Sequence, residues 1–153
     1  MNDRVPSRGR LAAFDFGTVR IGVAVTDPDQ RIASPLEIRQ RGSVNADCQW
    51  LMDLVERENI CGIVVGLPIH GNGRESIKSL ESRRFAILIR EITGLPTQLY
   101  DERFTTVEAD ALMSETKTTR KKRKQRRDKL AAQILLASFL ESTRDSAPGS
   151  LDD

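Results

Sequence analysis

Leu11-Ala12-Ala13-Phe14-Asp15-Phe16-Gly17 is a short apolar run that ends in glycine and carries one carboxylate inside it. Such a run reads as a strand buried on both faces. An ionised carboxylate taken out of water without a partner costs several kcal/mol. Asp15 therefore needs a cation, a proton or access to water. The ordinary reading is an Asp at a strand end, bonded to a turn. The sharper one is a metal ion, shared with carboxylates that return from distant parts of the chain.

Outward from this strand, Gly17-Thr18-Val19-Arg20 makes a tight turn, and Ile21 to Thr26 reads as a second strand. The link is short, so the two should form an antiparallel hairpin. Asp27-Pro28-Asp29-Gln30 signals another turn. Arg31 to Arg39 reads as a weaker strand, with Pro35 at a kink or an edge. Ala46 to Asn59 carries Trp50, Leu51, Leu54 and Val55 at helical spacing. Ile60 to Gly66 is a second buried, β-branched strand, and Leu67 to Arg74 a loop. Glu75 to Thr93 reads as a long helix closed by Gly94, and Leu95 to Glu102 as the next strand. Thr105 to Met113 reads as a helix, with Thr105 or Thr106 as its cap and Glu108 completing a capping box. Residues 115–125 contain no apolar side chain and read as a mobile basic loop. Arg127 to Leu140, apolar on most sides, reads as a buried last helix.

This order predicts one α/β sandwich with a mixed sheet of about five strands. Residues 1–9 are expected to form a flexible lead-in, 10–142 the domain and 143–153 a disordered tail. Right-handed crossovers put the first strand beside 60–66, with 95–102 beyond it. Ligands on such sheets bind at the carboxyl ends of parallel strands. Those ends are Asp15–Gly17, Gly66–Pro68 and Asp101–Glu102.

Composition narrows the chemistry. The chain has 153 residues, 39% hydrophobic and 30% charged, which suits one globular domain. No apolar run approaches the roughly 20 residues of a membrane span, and the polar opening Met1 to Arg10 lacks a signal-like apolar core. The expectation is a cytoplasmic protein without a membrane partner. Cys48 and Cys61 do not make a disulfide framework, and with His70 they show no zinc-like spacing. A bound metal would be held by oxygen, which points to Mg²⁺ or Mn²⁺. Residues 117–129 hold nine Lys or Arg and one Asp, a local charge of +8 in a chain of net charge +2, so the remainder carries −6. One dense basic segment on a mildly acidic body suggests a polyanionic partner.

Two further acidic positions compete for Asp15's site. Asp101 and Glu102 are neighbours on a strand and face opposite sides, so only one can share it; parity alone does not choose. Asp128 has the ordinary reading of a helix N-cap. Yet Ala131, Ala132 and Leu135 follow at three, four and seven residues, so Asp128 would begin the inward face. Three carboxylates with no softer ligand suit divalent ions in phosphoryl chemistry. Arg103 is either a surface ion pair or a phosphate contact. His70, at a strand end, is a candidate proton donor.

Phe14-Asp15-Phe16-Gly17-Thr18 with Arg20-Ile21-Gly22-Val23-Ala24-Val25, Val64-Val65-Gly66-Leu67-Pro68, Asp101-Glu102-Arg103-Phe104-Thr105-Thr106, and Asp128-Lys129-Leu130-Ala131-Ala132 with Ile134-Leu135 resemble the YqgF/RuvX family. Those proteins are ribonuclease H-like, related to the RuvC resolvases, and are described as Holliday junction resolvases and as nucleases that mature the 5′ end of pre-16S rRNA. The resemblance covers roughly residues 10–142. It implies a ribonuclease H-like three-layer sandwich and places the metal-binding, catalytic acids on Asp15, Glu102 and Asp128, choosing Glu102 over Asp101. Arg103 becomes a substrate or structural partner. The loop after Leu67-Pro68 departs from the family's polar loop: it reads Ile69-His70-Gly71-Asn72-Gly73. The expected activity is metal-dependent phosphodiester hydrolysis on structured RNA, with branched DNA as the alternative. Arg20, Arg103, Arg120, Lys121, Lys122, Arg123 and Lys124 are the expected phosphate contacts, and the protein a monomer or weak homodimer. An actin-like nucleotide site, also suggested by Asp15-Phe16-Gly17-Thr18, is disfavoured because 153 residues leave no second lobe.

Overall fold

The computed structural model describes residues 4–69, 72–104 and 120–145, and within the last stretch the side chains from Leu130 to Thr143. Its elements are β1 (Arg10–Phe16), β2 (Arg20–Thr26), β3 (Ala33–Gln40), α1 (Val44–Arg57), β4 (Ile60–Leu67), α2 (Ile77–Thr93), β5 (Thr97–Asp101), a 3₁₀ turn (Glu102–Phe104) and α3 (Arg120–Asp145). The sheet order is β3-β2-β1-β4-β5. β1 is antiparallel to β2 and parallel to β4; β5 continues the parallel side. The expected mixed five-stranded sheet is present, with β1 at its centre.

Alternation along the strands builds two cores. Ala12, Phe14, Ile21, Val23, Ile63 and Val65 bury against Leu51, Leu54, Phe85, Ala86 and Ile89 of α1 and α2. Leu11, Ala13, Ala24, Val64 and Tyr100 bury against Ala132, Leu135, Leu136, Phe139 and Leu140 of α3. The sheet thus lies between two helical layers. Pro35 sits on edge strand β3, where the register shifts opposite Val23 and Ala24, an edge position that tolerates a missing N–H.

Local chemistry sets the element ends. The Ser43 side chain caps α1 by accepting from Ala46 N at 3.1 Å. α2 begins two residues later than expected, at a reciprocal Ser76–Ser79 capping box. It ends at Gly94, whose φ of 71° is the left-handed conformation that favours glycine.

The C-terminal helix differs most from expectation. Residues 120–125, expected to be a loop, form the first turns of α3, so Asp128 lies inside the helix and not at its cap. Lys, Arg and Gln are good helix formers; the absence of apolar residues marks turns that need no core, and the helix runs through them. At its other end α3 reaches Asp145, three residues into the expected tail. The expected helix at 105–113, with Thr105, Thr106 and Glu108, lies outside the described residues, as do His70 and residues 146–153.

Candidate active site

Asp15 lies one residue before the end of β1, on the face shared by Leu11 and Ala13. Glycine stands beside it: Gly22 is its register partner on β2, and Gly66 follows Val65, the partner of Phe14 on β4. Tyr100 shares the α3 face, and Glu102, in the 3₁₀ turn that follows β5, lies on that side too, next to Gly66 and Leu135. A Cβ on Gly66 would stand 3.0 Å from Glu102 Oε1 and 3.1 Å from Leu135 Cδ2. The carboxylate and α3 therefore close over a gap that only glycine leaves.

Glu102 and Asp15 share a hydrogen bond. Burial, the Asp15 charge and that bond push the Glu102 carboxyl up to about 7, while the Lys78 charge opposes the rise. In its neutral form Glu102 donates to the Asp15 carboxylate. An acid pair of this kind, with oxygen as its only donor, suits a hard divalent cation, which would remove the repulsion by binding both groups. Among the described residues no group of three His, Cys, Asp or Glu converges to hold a metal.

Asp101 faces away from this pair and is engaged by Arg103. Arg103 Nη2 donates to Oδ2 at 2.6 Å, Nε donates to Oδ2 at 3.0 Å, and the backbone N–H donates to Oδ1 at 2.9 Å. These bonds hold the Asp101 carboxyl below its usual range. Arg103 thereby clasps the turn that carries Glu102. Asp128 lies on α3, two helical turns before Leu135; its side chain and those of Arg120, Lys121, Lys122, Arg123 and Lys124 lie outside the described residues.

A cavity of ≈ 380 Å³ opens at Asp15 and Glu102. One wall is the β1–β2 turn from Gly17 to Arg20, and another is Lys78 and Ser82 of α2. The turn is tight: Gly17 N donates to Arg20 O at 2.8 Å, and a Cβ at Gly17 would meet that oxygen at 2.7 Å. Arg41 fastens it from outside, Nη1 donating to Gly17 O at 3.0 Å and to Thr18 O at 2.9 Å. The Arg41 guanidinium lies 4.3 Å from the Phe16 ring centroid, and Phe16 stacks on Phe85 at 4.4 Å. Sequence reasoning missed Arg41, Lys78 and Ser82. The only sequence signal was the i, i+4 spacing of Lys78 and Ser82 at the start of a helix that follows a strand end.

The sequence profile described as "RuvX: Holliday junction resolvase" matches residues 9–142. The chain belongs to the RuvX family. A relative from Rhodopirellula baltica, named "Putative pre-16S rRNA nuclease", is 58% identical over 142 residues, covering 93% of this chain and 82% of that one. A relative of the same name from Rhizobium meliloti is 35% identical over 151 residues, covering 99% and 92%. Among solved structures, the fold is similar to that titled "T. thermophilus RuvC in complex with Holliday junction substrate", with a TM-score of 0.54, 14% identity and coverage of 87% and 95%. That likeness establishes the ribonuclease H-like architecture. Membership in RuvX agrees with the motifs quoted from the sequence.

Proposed function

We propose that this protein is a divalent-metal-dependent nuclease that hydrolyses phosphodiester bonds in structured RNA, and that it trims the 5′ end of pre-16S rRNA. The observation that carries this reading is the Asp15–Glu102 pair at the carboxyl ends of β1 and β5. The pair carries its repulsion as a raised Glu102 carboxyl, which binding a cation would relieve. The names of the relatives supply the substrate.

In this mechanism Asp15 and Glu102 would hold Mg²⁺ or Mn²⁺, with Asp128 of α3 as the third ligand. Divalent ions bound there would activate the attacking water and stabilise the charge of the leaving oxygen. The chain's own side chains do the positioning. Arg103 keeps the Glu102 turn in place through Asp101, and Arg20 stands at the cavity mouth. The basic segment 117–127 would grip phosphates of the substrate. Aromatic side chains are few, and Phe14, Phe85, Phe139 and Tyr100 are buried. Recognition therefore rests on backbone and shape more than on base identity. Among the described residues no helix is long and apolar enough to cross a membrane, and the cytoplasm is the proposed location.

The test is cleavage of a pre-16S rRNA fragment with Mg²⁺ or Mn²⁺, alongside Asp15→Asn and Asp128→Asn proteins of wild-type melting temperature. Both variants should be inactive; an active Asp15→Asn protein refutes the assignment. The family's description as a Holliday junction resolvase favours a second reading, resolution of four-way DNA junctions. It requires paired sites in a two-fold dimer. Gel filtration and junction cleavage separate the two, and a monomer or weak homodimer without junction cleavage supports the RNA reading.

A further inference from the structure

Lys78 and Ser82 line the cavity and take no part in the clasp on the β1–β2 turn. They lie one helical turn apart on α2. Ser82 is 1% exposed, and among the described residues its hydroxyl has no hydrogen-bond partner. Other buried hydroxyls are satisfied: Thr26 accepts from Leu11 N, Ser79 donates to Ser76 O, and Thr97 donates to Leu95 O. A buried hydroxyl left unpaired lowers stability and serves no packing purpose that alanine would not. Ser82 faces a polar cavity, so its donor is available to whatever enters.

The chemistry beside it selects the visitor. The positive charge of Lys78 is felt at Glu102, and among the described residues no carboxylate lies within ion-pair distance of its ammonium. A cation and a neutral donor one turn apart suit an anion with several acceptor oxygens. A sugar hydroxyl could satisfy Ser82 but would leave Lys78 unanswered. We infer that Lys78 and Ser82 form a phosphate subsite, which seats a phosphodiester adjacent to the one presented to Asp15 and Glu102. The inference rests on the nuclease reading and adds to it a fixed path for the strand, between α2 and the Gly17–Arg20 turn.

The experiment uses the full chain in EDTA, so that binding is read without cleavage. Fluorescein-labelled single-stranded RNA of mixed sequence is the probe, and anisotropy is followed over a salt series. Ser82→Ala should bind about tenfold more weakly at fixed salt, the effect of removing one hydrogen bond to a charged acceptor, while melting no lower than wild type. Lys78→Gln should lower the slope of log affinity against log salt by roughly 0.7, the share of one phosphate contact on a single strand. Wild-type affinity in Ser82→Ala, or an unchanged slope in Lys78→Gln, overturns the subsite. A Ser82→Ala protein that melts lower marks the hydroxyl as structural and also overturns it. Wild-type protein that binds but never cleaves with Mg²⁺ or Mn²⁺ counts against the nuclease reading and leaves the subsite standing.

Discussion

Replacing Glu102 with Gln should make the metal-free protein more stable at high pH and blind to divalent ions. The Glu102 carboxyl rises from 4.5 to about 7, through burial first and the Asp15 charge second. At about 1.4 kcal/mol per pH unit, ionising it in the folded protein costs about 3 kcal/mol relative to the unfolded chain. Between these two values the folded state keeps a proton that the unfolded chain has released. The stabilisation is therefore complete below pH 4.5 and is lost as pH rises through about 7. In a domain of this length 1 kcal/mol moves the melting temperature by about 2–4 °C, so this group alone should lower it by roughly 6–12 °C between mild acid and pH 8. Glu102→Gln keeps a neutral side chain that can donate to Asp15 at every pH. Thermal melts in EDTA from pH 4.5 to 8.5 should show the variant pulling away from wild type between pH 4.5 and about 7 and keeping a constant lead above that. Mg²⁺ should restore wild type at pH 8 and leave the variant unmoved. Parallel pH profiles, or an equal Mg²⁺ response, would refute the coupling of the two acids.

Three further perturbations test the surroundings of the pair. Gly66→Ala puts a Cβ 3.0 Å from Glu102 Oε1 and 3.1 Å from Leu135 Cδ2; cleavage should fall by a factor on the order of 10² if the carboxylate shifts, with a melting temperature that falls far less than activity. Arg41→Ala removes the bonds to Gly17 O and Thr18 O and the stacking on Phe16; a destabilisation of about 2 kcal/mol is expected from these together, read by denaturant titration, with Arg41→Lys intermediate. Changing Arg120, Lys121, Lys122, Arg123 and Lys124 to Gln should flatten the salt dependence of RNA binding, by up to about 0.7 for each phosphate no longer neutralised, while Glu102 keeps its metal response.

What the sequence made legible was local. The apolar run around Asp15, the β-branched run at Ile60 to Gly66 and the helix stop at Gly94 each carry their own signal, and right-handed crossover does the rest for strand order. Three features escaped for different reasons. The start of α3 was hidden because a basic run without apolar residues resembles a loop, although its residues favour helix. The facing of Asp101 and Glu102 depends on where β5 ends and the 3₁₀ turn begins, which no periodicity marks, so only the family resemblance chose Glu102. Lys78, Ser82 and Arg41 reach the site only through tertiary structure: α2 lies on the sheet face opposite α3 and brings its first turns to the mouth of β1, and the pairing of Gln40 with Arg20 sets Arg41 beside the β1–β2 turn. A long-range juxtaposition of that kind leaves no trace in the sequence beyond the i, i+4 spacing of Lys78 and Ser82.

The residues that look wrong for a strand explain the site together. Asp15 in a buried strand, Gly22 as its partner on β2 and Gly66 near the end of β4 each weaken the sheet locally. Taken together they clear side chains from both flanks of one carboxylate. Glu102 and Leu135 then close over Gly66. A side chain at 66 would fill the space that Glu102 needs. A carboxylate anywhere else on this face of β1 would stand at the level of Leu11 or Ala13, under the middle of α3. The site is placed where the strand is about to leave the core, so that two acids can be close, partly dry and still open to a cavity. Such a pair is poor as a stabilising device, since each group raises the cost of charging the other. It would suit a cation, whose charge would offset the repulsion between the acids.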